Sequence, residues 1–334
     1  MRSWLERLWY PQGDRNLGHA LALPGLAVAS WVFTAGAAVR VLFSPSPTKL
    51  TQATVVSVGN LNVGGAGKTP VVIFLAQLAQ QHGKRVAVLS RGHGREATAP
   101  LAFDSSNLPT EPDAGDEPRL IAVRCPGARV FVGTDRVASA RAACAEGCNW
   151  ILLDDGFQHR QLARDLDLVV IDDEVLLGTG HRLPWGPLRE GVAGLSRASM
   201  VWRRAAADGQ PRAPLHPNEV RARHWVRSSE PLKDEPVLVL TGVARPSSVV
   251  KSTQLLGARV VATRFFADHH RFTGAELAEV VTAARTHSAR VVTTEKDAQR
   301  LPLGFGVTLV MEVEVLEGEQ KLRAALGLEG QGGA

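Results

Sequence analysis

Positions 62 to 70 read NVGGAGKTP, close to the phosphate-loop spacing G-x-x-x-x-G-K-[ST], with Gly67, Lys68 and Thr69 in register and Asn62 in the place of the first glycine. Such a loop binds anions when it leaves a strand and opens a helix, because its backbone N–H groups and the helix dipole then face the same phosphate oxygens. Both conditions are met: TVVSVG precedes it as a strand, Pro70 suits a first helical turn, and VVIFLAQLAQ follows as an apolar helix. The expected nucleotide contacts are Asn62, Val63, Gly64, Gly65, Ala66, Gly67, Lys68, Thr69 and Pro70, with Lys68 on the β- and γ-phosphates and the Thr69 hydroxyl on Mg²⁺. Asparagine at 62 is expected to replace glycine by adopting a left-handed backbone, which it does unusually often.

A magnesium nucleotide also needs a carboxylate at the end of a neighbouring strand. The segment WILLDDGFQHR supplies two, Asp154 and Asp155, after four apolar residues. One is expected to bind Mg²⁺ through water and the other to orient the loop or the nucleophile, and the sequence leaves open which is which. Two further polar segments, GDEPRL at 115–120 and ADHHRFT at 267–273, fall where loops gather. With a phosphate loop in the same chain, Asp116 and a histidine of the second segment suggest a base and its orienting partner for an acceptor hydroxyl. Arg91, Arg119 and Arg189 are candidates for holding a substrate phosphate.

The elements that must position these residues alternate. Strands at 55–58, 85–89, 129–132, 150–153, 168–171 and 200–202, with helices between them, predict an α/β fold: a phosphate-loop NTPase-like, doubly wound, mostly parallel sheet. A second, smaller α/β set follows, with strands at 237–240, 259–264, 290–293 and 307–313 and helices near 246–256 and 274–287. The expected organisation is an N-terminal segment over 1–48, a phosphate-loop core over 49–205, a proline-dotted linker over 206–235 with room for a strand at RARHWVR, and the smaller domain over 236–330, ending in a loose EGQGGA tail.

The 334 residues are 45% apolar and 21% charged, which excludes a disordered polyelectrolyte. A net charge of +5 without long like-charge runs gives no reason to expect nucleic acid as a partner. Of the 38 basic residues only seven are lysine, so each lysine is informative. Cys125, Cys144 and Cys148 are too few for a disulfide framework and lack a second ligand pair for zinc, as expected of core residues in a reducing cytosol. From Leu21 to Val39 the chain carries no charge, a helical length of ~28 Å against ~30 Å of bilayer hydrocarbon. Arg2, Arg7 and Arg15 before it balance Arg40 and Lys49 after it, and Trp4, Trp9 and Tyr10 flank it. A membrane-associated helix is expected, lying in the interface or spanning. A secretory signal is disfavoured, since it would export the nucleotide site away from ATP.

In order along the chain, VGNLNVGGAGKTP, SRGHGR, GDEP, DDGFQHR, LPWGPLREG, GVARP, FADHHRFT and TTEKDAQRL resemble the tetraacyldisaccharide 4'-kinases, the lipid A 4'-kinases of Gram-negative bacteria, over about residues 50–300. The resemblance implies a kinase on the cytoplasmic face of the inner membrane, anchored there by its N-terminal helix, with ATP and Mg²⁺ as cofactors. It would move the γ-phosphate to the 4'-hydroxyl of a tetraacyldisaccharide 1-phosphate, giving lipid IVA. It further implies Asp116 as the base or its assistant, Asp268 and His269 beside it, and Lys68, Thr69, Asp154 and Asp155 at the nucleotide and metal. The catalytic set is then Asp116, His269, Lys68 and Asp155. His93, where an aromatic residue is frequent, and Ala267, where a proline is frequent, depart from the pattern. Two other readings share the glycine-rich loop: a switch ATPase of the partitioning or metallochaperone kind, and a membrane-anchored nucleotide-binding scaffold. The oligomeric state is not legible.

Overall fold

The computed structural model describes residues 4–10, 17–92, 95 and 99–329. His93 and Gly94 of SRGHGR, Arg2, Arg15 and tail residues 330–334 lie outside the described residues.

In chain order the first elements are α1 (Trp4–Trp9), α2 (Leu17–Leu42), β1 (Thr54–Gly59), α3 (Lys68–Gln81), β2 (Val86–Ser90), β3 (Leu101–Phe103), α4 (Glu111–Ala114), α5 (Asp116–Arg124), β4 (Arg129–Val132), α6 (Arg136–Ala145), β5 (Trp150–Asp154) and β6 (Leu166–Asp172). They continue as β7 (Met200–Arg204), β8 (Glu219–Ser228), β9 (Pro236–Thr241), α7 (Pro246–Leu255), β10 (Arg259–Phe265), α8 (Gly274–Thr286), β11 (Arg290–Thr294), α9 (Glu295–Ala298), β12 (Val307–Glu317) and α10 (Glu319–Ala325). The chain divides into two compact units. The first comprises Met1–Leu89, Asp135–Arg223 and Val315–Ala334, and the second Ser90–Thr134 and His224–Glu314. Residues 90–134 therefore group with the C-terminal strands.

In the first unit the strands run β8-β7-β6-β1-β5-β2, each parallel to its neighbours. The near-continuous apolar runs TVVSVG and WILLD are what a parallel strand covered on both faces requires, and β5 is buried throughout. Strand order reverses about β1, and in a doubly wound sheet ligands bind at the carboxyl ends of the strands flanking such a switch. Val58 of β1 is the register partner of Asp154 of β5, so the loop after β1 and the two aspartates leave the sheet side by side. Gly59 permits this approach: a Cβ there would meet the Phe157 Cβ at 2.5 Å.

Helix α2 mixes Pro24, Gly25, Ser30, Thr34 and Gly36 into its apolar run. Among the described residues no helix is long and apolar enough to cross a membrane. Ser30 is buried and its hydroxyl donates to the Arg182 carbonyl at 3.1 Å, while Trp31 is 73% and Val28 66% exposed.

In the second unit β10-β9-β11-β12 are parallel, and β3 pairs antiparallel with β4. The two faces of β9 fill separate cores. Val237 and Val239 pack with Val249 of α7, and Leu238 and Leu240 with Val280 and Ala284 of α8, as a period of two dictates. Within the stretch read as a linker, β8 is a ten-residue strand with only Val220 and Ala222 buried, too weak an apolar pattern to declare its full length. GDEP is not a loop: Asp116 is the first residue of α5, where Pro118 is tolerated and the acidic pair Asp116 and Glu117 complements the helix dipole.

Candidate active site

Two clusters of chemistry-bearing side chains form, one within each unit. In the first unit, α3 begins at Lys68 behind Gly67, whose left-handed backbone (φ 78°) turns the loop into the helix. Lys68 Nζ donates to Asn60 Oδ1 at 3.0 Å and lies 3.3 Å from Asp155 Oδ1. Arg189 Nη1 reaches the same carboxylate at 2.7 and 3.0 Å. Burial pulls the Asp155 carboxyl upward, but Lys68 and Arg189 outweigh it and hold its pKa below the usual value, so it stays ionised. Beneath it, the buried Arg136 donates to the carbonyls of Asp154 and Asp155 at 2.7 and 2.9 Å, fixing the turn in which Asp155 takes a left-handed φ of 53°.

The expected reason for Asn62 does not hold. Asn62 is absent from the left-handed residues. It bridges to Leu188 in an extended conformation, and its side chain is buried, donating to the Leu176 carbonyl at 2.9 Å and the Tyr10 hydroxyl at 3.2 Å. Its amide is thus committed to tying the loop base to Tyr10, just after α1, and to Leu176. Val63, Gly64 and Gly65 are exposed, and Ala66, Gly67, Lys68, Thr69 and Pro70 half-buried. The donors fit magnesium, which needs only one or two carboxylates besides phosphate and water. Asp154 and Asp155 end and follow β5, and Thr69 lies in the first turn of α3. Among the described residues no group of three His, Cys, Asp or Glu could hold a metal by itself.

In the second unit Asp116 is 1% exposed. Its Oδ1 accepts from the Glu117 amide at 2.8 Å, and its Oδ2 lies 3.0 Å from His269 Nδ1 and 3.5 Å from Arg300 Nε. Burial raises the Asp116 pKa, but the His269 hydrogen bond and the Lys296, His269 and Arg300 charges together lower it. The hydrogen bond to Asp116 raises the His269 pKa against burial and the Lys296 charge. His269 has φ 59°, so both it and Asp155 are among the five non-glycine residues with positive φ in the described chain. Such strain gathers at functional sites. In the loop around His269 the His270 amide donates to the Ala267 carbonyl at 3.1 Å and the His269 amide to the Gly242 carbonyl at 3.2 Å. Of the other candidate arginines, Arg119 donates to the Pro109 carbonyl at 2.8 Å, and Arg91 is exposed.

The family model described as Tetraacyldisaccharide-1-P 4'-kinase matches residues 22–328. The chain belongs to this kinase family. Tetraacyldisaccharide 4'-kinases of Anaeromyxobacter sp. (strain K) and Rhodospirillum centenum are 42% and 40% identical to the kinase, covering 97% and 88% of its chain and 95% and 86% of their own. The crystal structure of the "apo" form of LpxK from Aquifex aeolicus in complex with ATP aligns with a TM-score of 0.75 at 28% identity, covering 92% of this chain and 98% of that one.

Other side chains of the two clusters were not legible as such from the sequence. Arg136 reads there only as a helix residue. Lys296 and Arg300 sit in TTEKDAQRL, a segment that carries the resemblance but suggests no chemistry by itself. The scarcity of lysine was the available signal for Lys296.

Proposed function

We propose that the kinase transfers the γ-phosphoryl group of ATP to the 4'-hydroxyl of a tetraacyldisaccharide 1-phosphate, giving lipid IVA in lipid A biosynthesis. The observation that carries this reading is the meeting of Lys68, Asp155 and Arg189 at the start of α3, beside the carboxyl ends of β1 and β5. Phosphoryl transfer asks little covalent work of a protein, so positioning and charge must supply the rate. The amides from Gly64 to Thr69 cradle the phosphates, and Lys68 leaves Asp155 to stabilise charge on the group in transfer. The acceptor oxygen forms its bond to the γ-phosphorus as the bridging O–P bond breaks, and ADP leaves with that electron pair. The acceptor's proton passes to the Asp116–His269 pair. Magnesium, held through Thr69, Asp154 and Asp155, would neutralise charge developing on the phosphate oxygens.

The exposed apolar side chains of α2, including Val28, Trp31 and Val32, support an interfacial anchor at the cytoplasmic face of the inner membrane. ATP turnover with and without the lipid disaccharide tests the function. ADP release that depends on the lipid is expected, whereas hydrolysis indifferent to it marks a switch ATPase, and binding without turnover marks a scaffold.

A further inference from the structure

The Asp116–His269 pair has a third member. Lys296 Nζ lies 3.2 Å from His269 Nε2, the ring nitrogen not facing Asp116. An ammonium can only donate, an ionised carboxylate can only accept, and a neutral imidazole offers one donor and one acceptor. A ring held between them satisfies both neighbours in a single form, neutral with its proton on Nδ1. The other neutral tautomer would set a lone pair against the Asp116 carboxylate and an N–H against the ammonium. The doubly protonated ring would oppose N–H and ammonium at 3.2 Å.

The rest of the surroundings fits this arrangement. Lys296 is also 3.3 Å from Glu117 Oε1 and 3.4 Å from Asp268 Oδ1, and His269 Nε2 is 3.8 Å from Asp268 Oδ2. Arg300 Nε, 3.5 Å from Asp116 Oδ2, adds a second cation behind the carboxylate. Lys296 is borne on the single turn α9, whose next residue, Asp297, is fully buried and accepts from the Thr241 and Thr294 hydroxyls at 2.7 and 2.8 Å and from the Gly242 amide at 3.1 Å. The ammonium is therefore aimed from a fixed base.

We propose that Lys296 is a positioning residue for the proton-accepting pair: by donating to Nε2 it fixes the one ring proton of His269 on Nδ1, facing Asp116, before transfer. The proposal rests on the reading of Asp116 and His269 as that pair. A proton taken up by the ring then goes to Nε2, and Lys296 turns to Glu117 and Asp268, which already lie within reach.

Nitrogen-15 NMR of full-length protein, with the His269 ring assigned by its loss in His269→Gln, tests this. In the wild type the neutral ring is expected to carry its proton on Nδ1. In Lys296→Met the His269 titration midpoint should rise by about one pH unit, since a nearby like charge has been removed, and Lys296→Arg should restore it. The acid limb of kcat should move upward in parallel, with both KM values unchanged. A wild-type neutral ring protonated on Nε2, a measurement that needs no variant to fold, overturns the proposal. An unmoved His269 midpoint in Lys296→Met also overturns it. A displaced midpoint with an unmoved rate profile upholds the placement of Lys296 and rejects instead His269 as part of the base.

Discussion

At the scale of single residues, Lys68 and Asp116, to which the proposal gives the chemistry, differ in what holds them. Lys68 is half-buried and bonded only to polar groups, so Lys68→Ala should leave the fold intact and lower kcat by ~10²–10³-fold or more, the cost of removing one charge-stabilising donor. Steady-state kinetics beside a denaturation curve checks both halves. Thr69→Ala should raise the magnesium concentration needed for half-maximal rate, because a single hydroxyl ligand is lost. Asp116→Ala and His269→Ala should each cost ~10²–10⁴-fold in kcat, and the double variant far less than the product, since the two act as one hydrogen-bonded unit. Multiplicative losses would separate them. The folded pKa of Asp116 is lowered, so its stabilising contribution is complete above the ordinary carboxylate value of about 4 and is lost as pH falls through the folded value. Acid denaturation of Asp116→Asn should accordingly be less steep than that of wild type below that pH. The strand, loop and helix around NVGGAGKTP and the place of Asp154 and Asp155 at the end of β5 were legible because both are local patterns. The role of Asn62 was not, because its partners, Tyr10 and the Leu176 carbonyl, are distant in sequence.

At the scale of elements, α9 shows how one turn sets a site. Asp297 is fully buried and paired with Arg300, itself 1% exposed, whose Nη1 donates to the His270 carbonyl at 2.8 Å. Removing the acid takes from a buried guanidinium its nearer carboxylate and from two hydroxyls and an amide their acceptor, so Asp297→Ala should destabilise by roughly 3–5 kcal/mol, read from the urea midpoint of unfolding. Helix α2 should behave oppositely. Its exposed Val28, Trp31 and Val32 make no core, so replacing all three with serine should reduce vesicle co-sedimentation while activity on detergent-dispersed substrate persists. Deleting the whole N-terminal segment would be a poorer test, since Leu8 and Trp9 of α1 are buried and the Trp9 indole donates to the Pro184 carbonyl at 3.0 Å. Strands β1, β5 and β9 announced themselves through near-continuous apolar runs. Strand β8 was anticipated only over RARHWVR, because only two of its ten side chains are buried. Helix α5 hid behind Gly115 and Pro118, residues that read as a loop and here serve as an N-cap and a first turn.

At the scale of the whole molecule, the alternation of strands and helices made the α/β class readable, whereas the two compact units recruit segments that are not contiguous. No local pattern reports that residues 90–134 cluster with 224–314, since this grouping depends on long-range contacts rather than on any feature of the segment itself. The first unit carries the Lys68 loop and the second the Asp116–His269 pair. The central claim is that both serve a single transfer to a lipid hydroxyl. The direct measurement is incubation of full-length protein with γ-labelled ATP, Mg²⁺ and tetraacyldisaccharide 1-phosphate, followed by phosphorus NMR of the extracted lipid. A labelled bisphosphorylated lipid with its new phosphate ester at the 4' position, formed by wild type and lost in both Lys68→Ala and Asp116→Ala, is the predicted result; label appearing only as inorganic phosphate, with the lipid unchanged, would contradict the account.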